Sequence, residues 1–200
     1  MDEKNKKEIR NTSYQVTGDD EKRTIEGYAL LFGVSSDGLS FEEEIQRGAL
    51  DGVLPKSDVF ALLNHDRSRG VLARSKKGNG SLTLSVDEKG LKYRFEAPKT
   101  SLGDELLENI RRGEVDESSF AFSVSKDKWE KKSDGGWKRT IEQIEEIYDV
   151  SPVYNAAYSQ TSVYMRGKEQ AEDILRQQEE REKTKLLDEY YKKLEKTINI

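Results

Sequence analysis

The chain has 200 residues, of which 34% are hydrophobic and 36% charged, with a formal net charge of −5 and no cysteine. Lack of cysteine excludes disulfides, a thiolate nucleophile and cysteine-based metal centres, and a single histidine excludes multi-histidine zinc sites. The acidic balance disfavours nucleic acid as the main partner, because phosphate binding requires clustered Lys and Arg. No run approaches the ~20 apolar residues of a membrane span. We expect no metal, no cofactor, and neither a nucleic-acid nor a membrane partner.

The first quarter of the chain combines turns with short strands. Residues 1–11 are charged and lack periodicity, which predicts a flexible leader. Residues 14–16 and 24–32 flank an acidic turn and predict a β-hairpin. Residues 41–50 fit neither the helical nor the strand period, so an edge strand and a short helix both remain open.

An apolar run precedes the only histidine. Residues 59–63 are continuously apolar, which is typical of a strand buried on both faces, and Asn64-His65-Asp66 follows directly. His65 is therefore predicted at the end of a strand. Further on, residues 81–86 and 91–97 alternate apolar and polar side chains around a turn and predict a second hairpin.

A helix is predicted after this hairpin. Leu102, Leu106 and Ile110 recur at four-residue spacing, which places them on one helical face. Thr100 or Ser101 can cap the helix at its N-terminus.

The next segment predicts a strand with two different faces. Three large apolar residues alternate with four small ones: Phe120, Phe122 and Val124 against Ser119, Ala121, Ser123 and Ser125. One face is therefore predicted to be a wall of the core, whereas the small side chains leave room on the other face for a ligand or for a close packing contact.

Residues 137–153 leave the choice between helix and strand open. Ile141, Ile144 and Ile147 recur every three residues, which is intermediate between the two periods. Residues 148–153 predict a strand closed by Pro152, and a last short strand is predicted at residues 161–165.

The composition changes near residue 167. Beyond it charged residues dominate, and a sparse apolar stripe predicts a long charged helix that is mostly solvated and docks on a partner or pairs weakly with itself. The predicted division is a leader at residues 1–11, a main domain at 12–166 and a tail at 167–200. The predicted fold class is α+β and mostly β.

The composition restricts hydrolytic chemistry. A serine hydroxyl needs a positioned base to act as a nucleophile, and His65 is the sole histidine for that role. A lone histidine at a strand end is more often structural than catalytic, and no serine lies in a Gly-x-Ser-x-Gly elbow. These observations alone leave an α+β domain of unknown activity.

Six motifs occur in a characteristic order along the chain. They are EGYALLFG, RGAL, LLNHD, DEKGLKYRFEAP, ELLENIRRGEVDESSFAFSV and IYDVSPVYNAAYSQTSV. In this order the chain resembles, over residues 12–166, the HK97-type prohead serine proteases of tailed bacteriophages, which are related in fold to the herpesvirus assembly proteases. The resemblance implies a closed or partly closed antiparallel β-barrel core with flanking helices, followed by the charged C-terminal helix.

The resemblance also implies roles for particular residues. His65, in the Asn-His-Asp motif, would be the general base, and Ser119, before the Phe-x-Phe strand, the nucleophile. Ser118 is the competing serine, but strand alternation places it on the face of Phe120. The third member would be Asp149, which could accept the imidazole proton.

Two further assignments stay open. Glu146 is the alternative to Asp149, because the period of this segment is ambiguous. Asp66 adjoins His65 in sequence but is predicted to form a turn. Backbone N–H groups or Arg166 are the candidates for stabilising an oxyanion.

The implied function is acyl transfer by a serine endopeptidase. Its expected substrates are the scaffold or N-terminal segment of the major capsid protein and the protease itself, inside the viral procapsid in the host cytoplasm. Analogy with the herpesvirus enzymes suggests a homodimer. The alternative is a non-catalytic capsid assembly or scaffolding protein on the same fold.

Overall fold

The computed structural model describes residues 7–12, 16–19, 22–34, 39, 41–154 and 183–184. Its strands and α-helix are β1 (Glu8–Thr12), β2 (Thr17–Asp19), β3 (Thr24–Leu31), β4 (Glu42–Ile45), β5 (Asp58–Ala61), β6 (Ala73–Lys76), β7 (Asn79–Gly80), β8 (Leu82–Val86), β9 (Gly90–Glu96), α1 (Ser101–Arg111), β10 (Val115–Lys131) and β11 (Trp137–Tyr154). A short 3-10 helix at Arg67–Arg69 follows β5.

The strands form two sheets. The larger has the order β1-β10-β11-β5-β6-β7, with β4 also paired to β11, and the smaller has the order β2-β3-β9-β8. The predicted mostly β fold is confirmed, and so is the hairpin that β8 and β9 form.

The expected closed or partly closed antiparallel barrel is wrong for the described residues. The larger sheet ends at β1 and β7 and the smaller at β2 and β8, so both sheets are open. In addition, β11 pairs in parallel with β4 and with β5. At 18 residues β11 is long enough to pair with these two strands in succession, so the larger sheet is mixed rather than antiparallel throughout.

Two predictions lie mainly outside the described residues. These are the strand at residues 161–165 and the charged helix at 167–200, of which only residues 183–184 are described.

The N-terminal hairpin differs from its predicted position. Residues 17–19 form β2 and pair with residues 24–26 of β3, whereas residues 13–15 are not described. Val16 leaves the hairpin because its N–H donates to the carbonyl of Asp116 at 3.0 Å.

The predicted helix is confirmed as α1. The Thr100 hydroxyl caps it by accepting a hydrogen bond from the Gly103 N–H at 3.3 Å, and Leu106 is fully buried. Gly103 is required for close packing, because a Cβ at this position would lie 2.0 Å from the Pro98 carbonyl oxygen. The described part of the chain has this single α-helix flanking the sheets.

One cluster of buried apolar side chains joins the two sheets. Phe120 and Phe122 of β10 stack with ring centroids 4.6 Å apart, and they belong to the same cluster as Leu91 and Tyr93 of β9. The opposite face of β10, with Ser119 and its neighbours, therefore lies outside this core, as the alternation predicts.

Bulges explain the three-residue apolar period of β11. The pairing with β10 skips Glu142, Glu145 and Tyr148, so that two β11 residues lie opposite one β10 residue at each point. Each bulge inserts one residue and thus reverses the alternation of the side chains. Ile141, Ile144 and Ile147 therefore all face the core although each lies an odd number of residues, three, from the next, and the undecided segment is a strand.

A buried ionic network ties β1 to β4 and β11. The fully buried Glu43 carboxylate accepts hydrogen bonds from Arg10 and, at 3.0 Å, from Arg139. Glu8 contacts the same two guanidinium groups at 2.6 Å each. Asp127 completes the network, 2.7 Å from Arg139. Part of the undecided segment at residues 41–50 is thus a strand, β4, which the ion pairs of Glu43 with Arg10 and Arg139 hold in place.

The network also accounts for a departure from the predicted leader. Residues 8–11 lie in β1, which pairs antiparallel with β10 from Glu8↔Phe122 to Thr12↔Ser118. Because ionic contacts hold this strand, it lacks the apolar alternation by which strands are recognised in a sequence.

The buried carboxylate should be essential for stability. Glu43→Gln removes the fully buried carboxylate between two buried guanidinium groups and should lower the free energy of unfolding by about 3 kcal/mol. The control Glu44→Gln, on the next residue of β4, removes only a partly exposed ion pair with Lys138 and should cost less than about 1 kcal/mol. Chemical denaturation of both variants measures the difference, and equal losses would contradict the role of the network.

Candidate active site

The chain turns sharply where β5 ends. Asn64 and His65 both have left-handed backbone angles, with φ of 55° and 59°. Such angles cost energy for residues other than glycine and are common at functional sites. The Asn64 N–H donates to the Pro152 carbonyl at 3.0 Å, which fixes the turn against β11 and keeps His65 beside that strand.

The two adjacent serines of β10 point in opposite directions. The Ser118 hydroxyl faces the core and lies 2.8 Å from the Tyr93 hydroxyl, and burial raises the pKa of Tyr93. Ser119 lies on the other face, opposite Ser151 of β11. Alternation in β10 thus separates the competing serine from His65, as predicted.

A bulge aims the Asp149 carboxylate at the site. Phe122 pairs with Ile147 in the core, but Ala121 pairs with Asp149, because Tyr148 is the inserted residue. In a regular strand, Ile147 and Asp149 are two residues apart and would both face the core. The bulge therefore places the acid on the face of Ser119.

Three predicted residues meet on this face. The Ser119 hydroxyl lies 2.6 Å from His65 Nε2, and His65 Nδ1 lies 2.5 Å from Asp149 Oδ1. With the imidazole proton on Nδ1, the ring donates to Asp149 and accepts from Ser119. This arrangement can transfer the serine proton to the imidazole while the carboxylate stabilises the resulting imidazolium.

Asp149 has two further partners. The Ser151 hydroxyl donates to Oδ1 at 2.9 Å, and the Lys7 ammonium lies 3.1 Å from Oδ2. Burial opposes ionisation of Asp149, but the hydrogen bond and charge of His65, together with Lys7 and Ser151, hold its pKa below the usual range. The carboxylate is therefore ionised at neutral pH.

Ser119 has a second acceptor within reach. Its Oγ lies 2.9 Å from the Arg10 carbonyl oxygen on β1, so one hydroxyl proton is shared between two acceptors. Ser119 is also fully buried, whereas the His65 side chain is 15% exposed. A substrate carbonyl thus reaches Ser119 only when the groups that cover it move.

The remaining candidates lie elsewhere. Glu146 pairs with Ser123, farther along β10 from Ser119. Asp66 caps the 3-10 helix through hydrogen bonds from the Ser68 N–H and hydroxyl, at 2.9 and 2.6 Å, which matches its predicted turn role. Arg166 lies outside the described residues.

Sequence reasoning missed Ser151 and Lys7. Ser151 is two residues from Asp149, and this spacing on a strand puts both on one face, so it could have been found. No sequence pattern pointed to Lys7, because its contact with Asp149 depends on the pairing of β1 with β10.

The described ranges offer neither a metal site nor a membrane-spanning helix. They contain no group of three or more potential metal-binding side chains. Nor do these ranges contain a helix long and apolar enough to cross a membrane.

A hydroxyl, an imidazole and a carboxylate linked in this order define the serine hydrolase class. The family model for caudovirus prohead serine proteases matches residues 8–176. This match covers most of the chain, so the protein belongs to that family and is a serine protease, rather than the non-catalytic scaffolding protein considered as the alternative.

Other comparisons give weaker similarity. Among solved structures, the chain is similar to the bacteriophage T4 capsid assembly protease gp21, with 13% identity and a TM-score of 0.47, over 75% of this chain and 98% of that one. No curated protein matches the chain.

The bulge can be tested by changing the length of β11. Deletion of Tyr148 removes the inserted residue and makes Ile147 and Asp149 neighbours, which a regular strand places on opposite faces, so peptidase activity should stay within about tenfold of wild type. Tyr148→Ala keeps the inserted residue, losing mainly the hydrogen bond to Ser123, and should retain activity within about tenfold. If the deletion variant lost activity at least about 10³-fold while Tyr148→Ala kept it, Tyr148 would be a regular strand residue and the bulge would lie elsewhere.

Proposed function

We propose that His65, Ser119 and Asp149 are the catalytic triad of this prohead protease. The observation that carries the proposal is the continuous hydrogen-bonded chain from the Ser119 hydroxyl through both imidazole nitrogens to Asp149, with links of 2.6 and 2.5 Å. Both links are short enough for proton transfer and for holding the ring in one tautomer.

Acylation follows from this geometry. Nε2 of His65 takes the Ser119 proton as Oγ attacks the scissile carbonyl carbon and forms the new C–O bond. The ionised Asp149 stabilises the imidazolium, which then donates its Nε2 proton to the departing amine as the C–N bond breaks. The product is an acyl-enzyme on Ser119.

Deacylation repeats the same proton transfers with water. His65 removes a proton from water, the hydroxide attacks the ester carbonyl, and the imidazolium returns the proton to Ser119 Oγ as it leaves. The Ser151 hydrogen bond to Asp149 supports both steps, because it keeps the acceptor oxygen beside Nδ1 throughout.

The substrate we propose is the scaffold or N-terminal segment of the major capsid protein, with self-cleavage as a second reaction. The family description, a prohead protease of caudoviruses, supports this choice and a location inside the procapsid in the host cytoplasm. We also propose a homodimer, as in the herpesvirus enzymes. The proposal includes neither a nucleic-acid nor a membrane partner, and the net charge of −5 disfavours binding to nucleic acid.

We also propose a leader, a protease domain and a charged tail starting at residue 167. The domain was predicted to begin at residue 12. The pairing of β1 with β10 and the start of the family match at residue 8 both support an earlier beginning.

Exchange of the serine tests the nucleophile. On co-expression with the capsid precursor, Ser119→Ala should abolish shortening of the capsid protein, a loss of at least about 10³-fold, because it removes the hydroxyl that contacts Nε2 of His65. Ser118→Ala removes the core-facing hydroxyl and should still process the precursor. Intact-mass analysis distinguishes the two, and normal processing by Ser119→Ala would show that the nucleophile lies elsewhere.

Neutralising each acid tests the third residue. Asp149→Asn should reduce the cleavage rate by about 10³–10⁴-fold, since an amide neither fixes the imidazole tautomer nor stabilises the imidazolium. Glu146→Gln, an equivalent exchange on the same strand, should change the rate less than about threefold. The same precursor assay, sampled over time, ranks the variants, and the opposite ranking would transfer the role to Glu146.

A further inference from the structure

A residue from the N-terminal strand region holds the acid of the proposed triad. The Lys7 ammonium lies 3.1 Å from Oδ2 of Asp149, whereas His65 and Ser151 contact Oδ1. The Lys7 ammonium also lies 5.7 Å from the centre of the Tyr148 ring. Both carboxylate oxygens therefore have partners, and one partner carries a permanent positive charge.

The position of Lys7 follows from the attachment of β1. Lys7 immediately precedes Glu8, which pairs with Phe122 on β10 and is held by Arg139 and Arg10. The Lys7 side chain is 49% exposed, and such a lysine on a free leader would contribute little to an ion pair. Anchoring of the adjacent backbone lowers the entropy cost of the contact with Asp149.

The charge of Lys7 acts on both acid and base. A cation beside Asp149 favours the ionised carboxylate and opposes the gain of a second positive charge on the adjoining imidazole. The contact also restrains the rotation of the carboxylate that orients the ring.

We propose that Lys7 is a positioning residue of the active site: its ammonium group fixes the Asp149 carboxylate and extends the activity of the enzyme to lower pH. This inference rests on the proposed triad. Residues 1–11, which the sequence predicts to be a flexible leader, would then contribute Lys7 to the active site.

Other charged or titratable groups near Asp149 stay unchanged in the test. Glu146, opposite Ser123, and Tyr148 lie on β11. Arg67 and Arg74 lie over the ring of Phe60, which pairs with Asp149. A difference in the titration midpoint between wild type and a Lys7 variant is thus due to Lys7, because these other groups are the same in both proteins.

The single histidine makes a direct measurement feasible. In tag-free protein, His65 gives the only imidazole resonances, and their chemical shifts against pH yield a titration midpoint without any substrate. Lys7→Met should raise this midpoint by about 0.5 pH unit relative to wild type. The acidic limb of kcat/KM for precursor cleavage should move upward by the same amount, and Lys7→Arg should restore both to within about 0.2 unit.

Two further variants separate the possible outcomes. Lys92→Met removes a lysine of similar exposure that pairs with Glu26 on the smaller sheet and should leave the midpoint unchanged. Asp149→Asn should lower the midpoint by about one unit or more, because it removes the anion beside the ring. If Asp149→Asn lowers the midpoint but Lys7→Met leaves it unchanged, the role of Lys7 is overturned and the triad stands. If neither variant moves it, both proposals fall.

Discussion

The pairing of β10 with β11 is the constraint on which the rest of the molecule depends. Its register sets Ser119 opposite Ser151 and brings Asp149 opposite Ala121, on the same face. The other face carries the aromatic wall that packs against the smaller sheet. One ladder thus serves core and site together, and the third proposed catalytic group, His65, needs only a short turn beside β11 to join them. Rigid strands are a suitable support for groups that must stay within hydrogen-bond distance of each other.

A second level of support comes from charge. Glu43 and Glu8 hold two arginines in the interior, and these bind β1 to strands that are distant in sequence. Burying ions in this way contributes little net stability, since desolvation offsets most of the attraction. Its value here is positional: β1 acquires a fixed register beside the nucleophile, and its backbone and side chains reach both Ser119 and Asp149.

Local patterns in the sequence predicted the local features. The strand before His65, the alternation that separates Ser118 from Ser119 and helix α1 all depend on neighbouring residues, and they were recognisable. The bulges of β11 were not, because their positions are set by pairing with a second strand, although the three-residue spacing of the isoleucines was the visible trace of those at Glu142 and Glu145. The open sheets and the ionic strand β1 depend on contacts between remote segments, and neither produces an apolar period.

The network around Glu43 gives the molecule an uneven response to acid. Burial opposes ionisation of Glu8, yet the hydrogen bonds and charges of Arg139 and Arg10 hold its pKa below the usual 4.5, so its stabilising effect is complete above that pH and disappears as the pH falls through the folded-state pKa. The aromatic core has no such dependence. A pH below the folded-state pKa of Glu8 should therefore detach β1 as a local unfolding unit while the two sheets remain packed, and amide exchange in residues 8–12 would accelerate before global unfolding begins.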